Sequence, residues 1–260
     1  MRSLDEMIAY SREVLYPHTV TIDGFRFTAE GAILDAIDDG VTILEMSTDV
    51  RFAALFPGGL DEFVEFIGGL ADRYLERIDF RPEIGMSKDR PADGQVKLAR
   101  ACIDSGVFRS IDLYGNELAQ PAGEFREAFA YARKRGLKLK AHAGEFGGTD
   151  IVEETIDQLQ VTEIQHGVAA AQSQPTMQKL RDRNIRLNIC PSSNIALGVV
   201  KHIRQHPIKT LFDSGVRVTL NTDDLTIFGK SVSEEFLLLY NARLFSADEL
   251  DLIRLEGLRD

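Results

Sequence analysis

The chain has 260 residues, 44% of them hydrophobic and 27% charged, with a net charge of -11. That length suits one α/β domain with a single large core, and the acidic balance, without a local Lys/Arg stripe, argues against binding a nucleic-acid backbone. No apolar run is long enough to span a membrane, the start Met1-Arg2-Ser3-Leu4-Asp5-Glu6 lacks a secretory pattern, and Cys102 and Cys190 make neither a disulfide framework nor a CxxC pair. A soluble, cytoplasmic protein with two buried thiols is expected.

At the start, Ser3-Leu4-Asp5-Glu6-Met7 reads as the cap and first turn of a helix, and residues 19–22 form a short apolar run. From residue 41 on, β-branched apolar runs alternate with amphipathic stretches, the sign of βα units around a parallel sheet. The expected strands are 41–47, 82–87, 107–113, 137–141, 163–166, 185–190 and 217–221. The expected helices include 60–77, 122–135, 151–160, 176–184, 232–243 and 247–258. No repeat, low-complexity tract or linker interrupts them, so residues 1–260 read as a single domain.

The residues that follow these strands are polar: Asp49-Val50-Arg51, Lys88-Asp89-Arg90, Tyr114-Gly115-Asn116-Glu117, His142 to Glu145, His166-Gly167, Ser192-Ser193-Asn194 and Asp223-Asp224. The strand starts, such as Gly136-Leu137 and Gly215-Val216, are bland. Ionisable groups beside a core must be paired, hydrogen-bonded or bound to metal, so function is the economical reason for them. In α/β barrels the carboxyl ends of the strands build the active site. Polarity gathered at one end predicts a (β/α)8 TIM-barrel-like fold with a polar bowl. An open doubly wound sheet is the rival, weakened because no GxGxxG or GxxxxGK[ST] follows any strand.

His142-Ala143-Gly144-Glu145, His166-Gly167 after an apolar strand, Cys190-Pro191-Ser192-Ser193-Asn194 and Asn221-Thr222-Asp223-Asp224 occur in that order. This combination resembles the adenosine deaminase family of metal-dependent purine aminohydrolases, a branch of the amidohydrolase barrels, from about Val41 to the last residue. The resemblance implies hydrolytic deamination of adenosine or a related purine at one divalent metal, normally zinc. It makes His142 and Asp223 metal ligands, both of types that suit zinc. It makes Glu145 the proton shuttle to a purine ring nitrogen, and His166 the histidine that orients the attacking water and stabilises the developing oxyanion. Asp224 matches the carboxylate that hydrogen-bonds the purine, and Gly115 the glycine whose N–H contacts it. The chemistry needs these types: a purine amine leaves poorly, so water must be activated by a metal, and the ring must be protonated by an acid whose pKa is raised in a dry pocket.

Each residue taken alone has a plainer reading. A lone buried histidine is commonly structural, and Asp223-Asp224 could cap a helix. Ser192-Ser193-Asn194 reads as a turn and cap, His206-Pro207 as structural, Cys190 as packing, and His18 and His202 as surface residues.

The family's first strand ends in HxH, which supplies two metal ligands, and the five histidines here contain no such pair. Two explanations are carried forward. Either the native start lies upstream and the barrel is incomplete at its first strand, or residues 19–27 act as a substitute first strand beside a weakened metal site. The carboxyl end also reads as short, and Leu225 stands where the family usually has proline. The rival functions are a purine-binding member that has lost the metal, and a two-metal amidohydrolase, which would need a bridging Lys where this chain has Leu113-Tyr114-Gly115.

Overall fold

The β-branched run at residues 19–22 does not form a strand. In the computed structural model, which describes residues 3–259, helix α1 (Leu4–Tyr10), a π-helical turn (Ser11–Leu15) and α2 (Tyr16–Thr19) lead into α3 (Ile22–Asp38). Thr21 is extended, and its hydroxyl oxygen accepts the Gly24 N–H at 3.1 Å, satisfying one of the orphan donors at a helix start. Beyond the cap Phe25, Ala29 and Ile33 recur every fourth residue and are all buried. Phe25 meets the rings of Phe52, Phe56, Phe63 and Phe66 at centroid distances of 5.0–6.0 Å. The substitute strand expected at residues 19–27 is therefore corrected to a cap followed by helix. The helical spacing of its apolar residues outweighs the β preference of Thr19, Val20 and Thr21.

Two units make up the chain, Asp5–Lys140 and the part from Ala141 onward, with their boundary inside β4 (Lys138–Ala143). In the first, β1 (Ile43–Asp49), β2 (Asp79–Ser87) and β3 (Ser110–Tyr114) run parallel. Their register runs from Ile43↔Asp79 to Asp49↔Gly85 and from Glu83↔Ser110 to Ser87↔Tyr114. Helices α4 (Gly59–Tyr74), α5 (Ala92–Ser105) and α6 (Arg126–Lys134) make the crossovers. Strand β1 ends two residues later than the pattern at 41–47 suggests, because Asp49 is still paired to Gly85.

In the second unit the end of β4 is followed by β5 (Glu163–His166), β6 (Arg186–Ile189) and β7 (Arg217–Leu220), paired in chain order. Strands β5, β6 and β7 are parallel, in register from Glu163↔Arg186 and from Arg186↔Arg217 to Ile189↔Leu220. The connecting helices are α7 (Thr149–Leu159), α8 (Gln174–Asp182), α9 (Pro191–Ala196) and α10 (Ile208–Asp213). After β7 come α11 (Leu225–Phe228), α12 (Val232–Asn241) and α13 (Ala247–Gly257). Helices α12 and α13 each start in a capping box, Ser231 with Glu234 and Ser246 with Glu249. The strands carry buried polar residues of their own: Arg186 and Asn188 both donate to Glu163 Oε2, at 2.7 and 2.9 Å, and the Thr219 hydroxyl donates to Asn188 Oδ1 at 2.9 Å. Among the described residues no helix is long and apolar enough to cross a membrane.

Candidate active site

In the second unit the chain turns sharply after β4, β5 and β7. Gly144 (φ 71°), His166 (φ 64°), Gly167 (φ 68°) and Asp223 (φ 58°) all take left-handed backbone. Gly144 has no alternative, since a Cβ there would lie 2.4 Å from Val152 Cγ2. For His166 and Asp223 the same conformation costs about 1–3 kcal/mol each, strain of a kind that gathers at functional sites.

His166 is buried, with Nδ1 3.4 Å from Glu145 Oε1 and Nε2 3.9 Å from Asp223 Oδ2. The His142 ring lies beside it, centroid to centroid 5.3 Å. Both oxygens of Asp223 are held: Oδ2 accepts the Ser193 hydroxyl at 2.6 Å and Oδ1 the Asp224 N–H at 2.9 Å. Asp224 is open to solvent at its surface yet surrounded by protein. Loss of hydration and the neighbouring Asp223 charge raise its carboxyl to about 7, with His142 opposing.

Helix α9 supplies the supports that sequence reading took for a turn and a cap. Asn194 is fully buried, and its Nδ2 lies 2.8 Å from Glu145 Oε1 and 3.2 Å from His166 Nδ1. Behind it, His206 Nε2 lies 3.2 Å from Asn194 Oδ1. Burial, with the neighbouring His166 imidazole opposing a second positive charge, lowers His206 to about 4. At the start of α9 the Ser192 N–H donates to both oxygens of Glu235, at 3.3 and 3.2 Å. Glu235 is fully buried, and loss of hydration raises it to about 7. The run Cys190-Pro191-Ser192-Ser193-Asn194 could have signalled this role, being a polar motif at the end of a buried strand. Glu235 had a weaker signal, its spacing of four from buried Leu239 on α12.

His166, Cys190 and Asp223 each offer a metal-ligating atom, all within 4.8 Å of one another, the group of this kind among the described residues. His142 is not part of it. The Cys190 thiol is pushed well up by burial, then by the charges of Asp223, Glu145 and Glu235. In the first unit Gly115 ends β3 at φ 89°, and a Cβ there would lie 2.3 Å from Asp89 Oδ2, so no side chain fits. Beside it the Tyr114 hydroxyl donates to Asp49 Oδ2 at 2.6 Å, and the Lys88 ammonium donates to the Glu117 carbonyl at 2.6 Å.

Residues 82–260, more than half of the chain, match the adenosine deaminase family. The chain belongs to the adenosine deaminase family. A candidate adenosine/adenine deaminase of Treponema pallidum is 37% identical over 235 residues, covering 90% of this chain and 79% of that protein. An adenine deaminase of Rhizobium meliloti is 38% identical over 145 residues, and there the match covers 56% of this chain and less than half, 45%, of the relative. Among solved structures, adenine deaminase from Arthrobacter aurescens superposes with a TM-score of 0.87 at 21% identity, covering all of this chain and 80% of that one. A zinc-bound amidohydrolase from Burkholderia ambifaria gives 0.79 at 23% identity, covering 92% and 68%. The structural likenesses establish the fold, the TIM-barrel type that the polar strand ends predict.

Proposed function

We propose that this adenosine deaminase family member hydrolytically deaminates adenine, adenosine or a closely related purine. The observation that carries this reading is the meeting of Glu145, His166 and Asp223, from three strand ends, within 3.4 and 3.9 Å contacts. The family's relatives with adenine or adenosine in their names support the substrate class.

Imidazole and carboxylate are donors that zinc accepts, and a solved neighbour in fold holds zinc. His142 and Asp223 are the residues of this chain that would hold the ion, two donors of types that zinc takes where a catalytic zinc has three from the protein. A divalent cation held there would supply a water acidified enough to attack at neutral pH. The remaining work falls to the protein. Glu145 gives a proton to a purine ring nitrogen as water adds to the carbon bearing the amino group; the proton it recovers from the attacking water passes to that amino group, and the C–N bond breaks to release ammonia. His166 donates a hydrogen bond to the oxygen that gains charge on that carbon. Asp224, with its carboxyl raised to about 7, can keep a proton near neutrality and hydrogen-bond the ring.

Two measurements on the purified chain test the reading: zinc content by elemental analysis, and the absorbance change on adding adenine or adenosine. Zinc uptake with turnover is the expected result. No turnover with zinc added would overturn the enzyme reading and leave a purine-binding family member, which a calorimetric titration with adenine would reveal.

A further inference from the structure

The buried side chain of Asn194 faces different elements with its two ends, and its orientation is set from behind. The Ile208 N–H lies 3.2 Å from His206 Nδ1. A backbone amide can only donate, so His206 Nδ1 is the bare nitrogen and the hydrogen of the neutral ring sits on Nε2. Burial lowers the His206 imidazole to about 4, which keeps it neutral near pH 7. Nε2–H then faces Asn194 across 3.2 Å. An amide NH2 turned that way would set donor against donor, so the carbonyl oxygen must be the end that accepts. The NH2 group is thereby turned to the opposite side, where Nδ2 reaches Glu145 Oε1 at 2.8 Å and His166 Nδ1 at 3.2 Å.

We propose that Asn194, locked by His206, is a positioning residue that makes His166 Nδ1 an acceptor and so places the His166 ring hydrogen on Nε2, toward Asp223. One amide group thus holds the proton shuttle and selects the tautomer of its neighbour. The consequence decides between two uses of His166. With its hydrogen on Nε2 the ring is a donor to oxygen on the Asp223 side; to ligate a metal through Nε2 it would have to carry the hydrogen on Nδ1, against the nearer Asn194 NH2 group at 3.2 Å and toward the competing acceptor Glu145 Oε1 at 3.4 Å. Closeness to Cys190 and Asp223, all within 4.8 Å, therefore does not make His166 a ligand. Its catalytic meaning rests on the deaminase reading, but the hydrogen-bond order itself can be measured without turnover.

The test is 15N NMR of the full chain, zinc-free and labelled at histidine, at about pH 8, above the ordinary histidine value. The five histidine rings are assigned by single substitution, with His166→Gln identifying His166. The expected spectrum has His166 bare at Nδ1 and protonated at Nε2. Asn194→Asp, which offers only acceptors, should move the hydrogen to Nδ1; His206→Phe should mix the two forms, and His206→Gln, which can still donate to Asn194, should keep the original one. A wild-type His166 protonated at Nδ1, or an unchanged pattern in Asn194→Asp, overturns the proposal. If Asn194→Asp does not fold, the wild-type spectrum and the two His206 variants decide it. In turnover, Asn194→Asp should lower kcat about 100-fold with little change in KM, as loss of aligned acid–base groups does. A wild-type chain that shows the expected tautomer without any turnover would overturn the deaminase reading alone.

Discussion

Two polar clusters in the part of the chain from Ala141 onward use similar residues to different ends. Within the strands, from their first to their third residues, Glu163, Arg186, Asn188 and Thr219 hydrogen-bond one another at 2.7–3.0 Å, all buried and all on regular strand backbone. At the strand ends, Glu145, His166, Asn194 and Asp223 meet at 2.8–3.9 Å, on backbone that is left-handed at His166 and Asp223. The first cluster answers donors with acceptors inside the sheet, which is what buried polar groups need for stability. The second is strained, holds two oxygens of Asp223 and one of Glu145 in fixed directions, and leaves Asp224 with a raised carboxyl beside it. Polarity alone does not mark a site; strain and direction do.

The comparison is broken most severely at Glu145. Glu145→Gln keeps the shape of the side chain and removes its acid–base chemistry, so kcat should fall by about 10²–10⁴-fold, while thermal stability changes little. A stability loss comparable to that of the in-strand variants would mean that Glu145 belongs to the structural cluster.

The in-strand cluster should behave in the opposite way. Arg186→Met takes away the guanidinium that faces Glu163 Oε2 at 2.7 Å. Breaking a buried pair from one side costs about 3–5 kcal/mol, and urea denaturation would read it as a lower midpoint with an unchanged slope. Restoring an apolar match with Glu163→Leu in the same chain should recover much of the loss, since buried ion pairs are often replaceable by well-packed apolar groups.

Much of this contrast was legible in the sequence, and the unread part has physical causes. Strand β5 at 163–166 matches the expected range residue for residue, because its apolar run is short and followed at once by Gly167. The start of the helix at Ile22–Asp38 falls inside the 19–27 stretch that one alternative takes as a strand, since the β-branched Thr19 and Val20 precede a cap that only the Thr21 contact reveals. Glu145, His166 and Asp223 stood out because a charge at the end of a buried run is costly. Asn194 and His206 did not, because amides and neutral imidazoles are common in turns. Their role depends on which atom faces which, and that geometry is not written in spacing. In β6, Arg186 and Asn188 interrupt the apolar run expected at 185–190, and pairing across β5 and β7 explains them.

Glu235 sharpens the comparison through pH. Burial raises its carboxyl from the usual 4.5 to about 7, so the folded state holds the proton more tightly than the unfolded chain does. The stability this contributes is fully present below about pH 4.5 and is lost as pH rises through about 7. The amplitude is roughly 3 kcal/mol at most. Glu235→Gln can still accept the Ser192 N–H, so the difference in unfolding free energy between wild type and variant, followed from pH 4 to about 8, should shift toward the variant by that amount. A difference independent of pH would show that Glu235 is ionised throughout and belongs with the satisfied groups of the sheet.

The finest distinction lies at Ser193, whose hydroxyl donates to Asp223 Oδ2 at 2.6 Å. If Asp223 is a metal ligand, this hydroxyl aims it, and loss of such a supporting bond weakens metal binding about 10–100-fold. Ser193→Ala removes one oxygen from a fully buried position, so folding should be nearly unaffected by volume and the change should appear in zinc titrations of the chelator-treated protein. The left-handed backbone at Asp223 makes the argument stronger, because a strained residue relaxes when one of its restraints is removed. Unchanged zinc affinity, with stability lowered instead, would place the Ser193–Asp223 pair with the in-strand network, as a bond that holds the fold and nothing more.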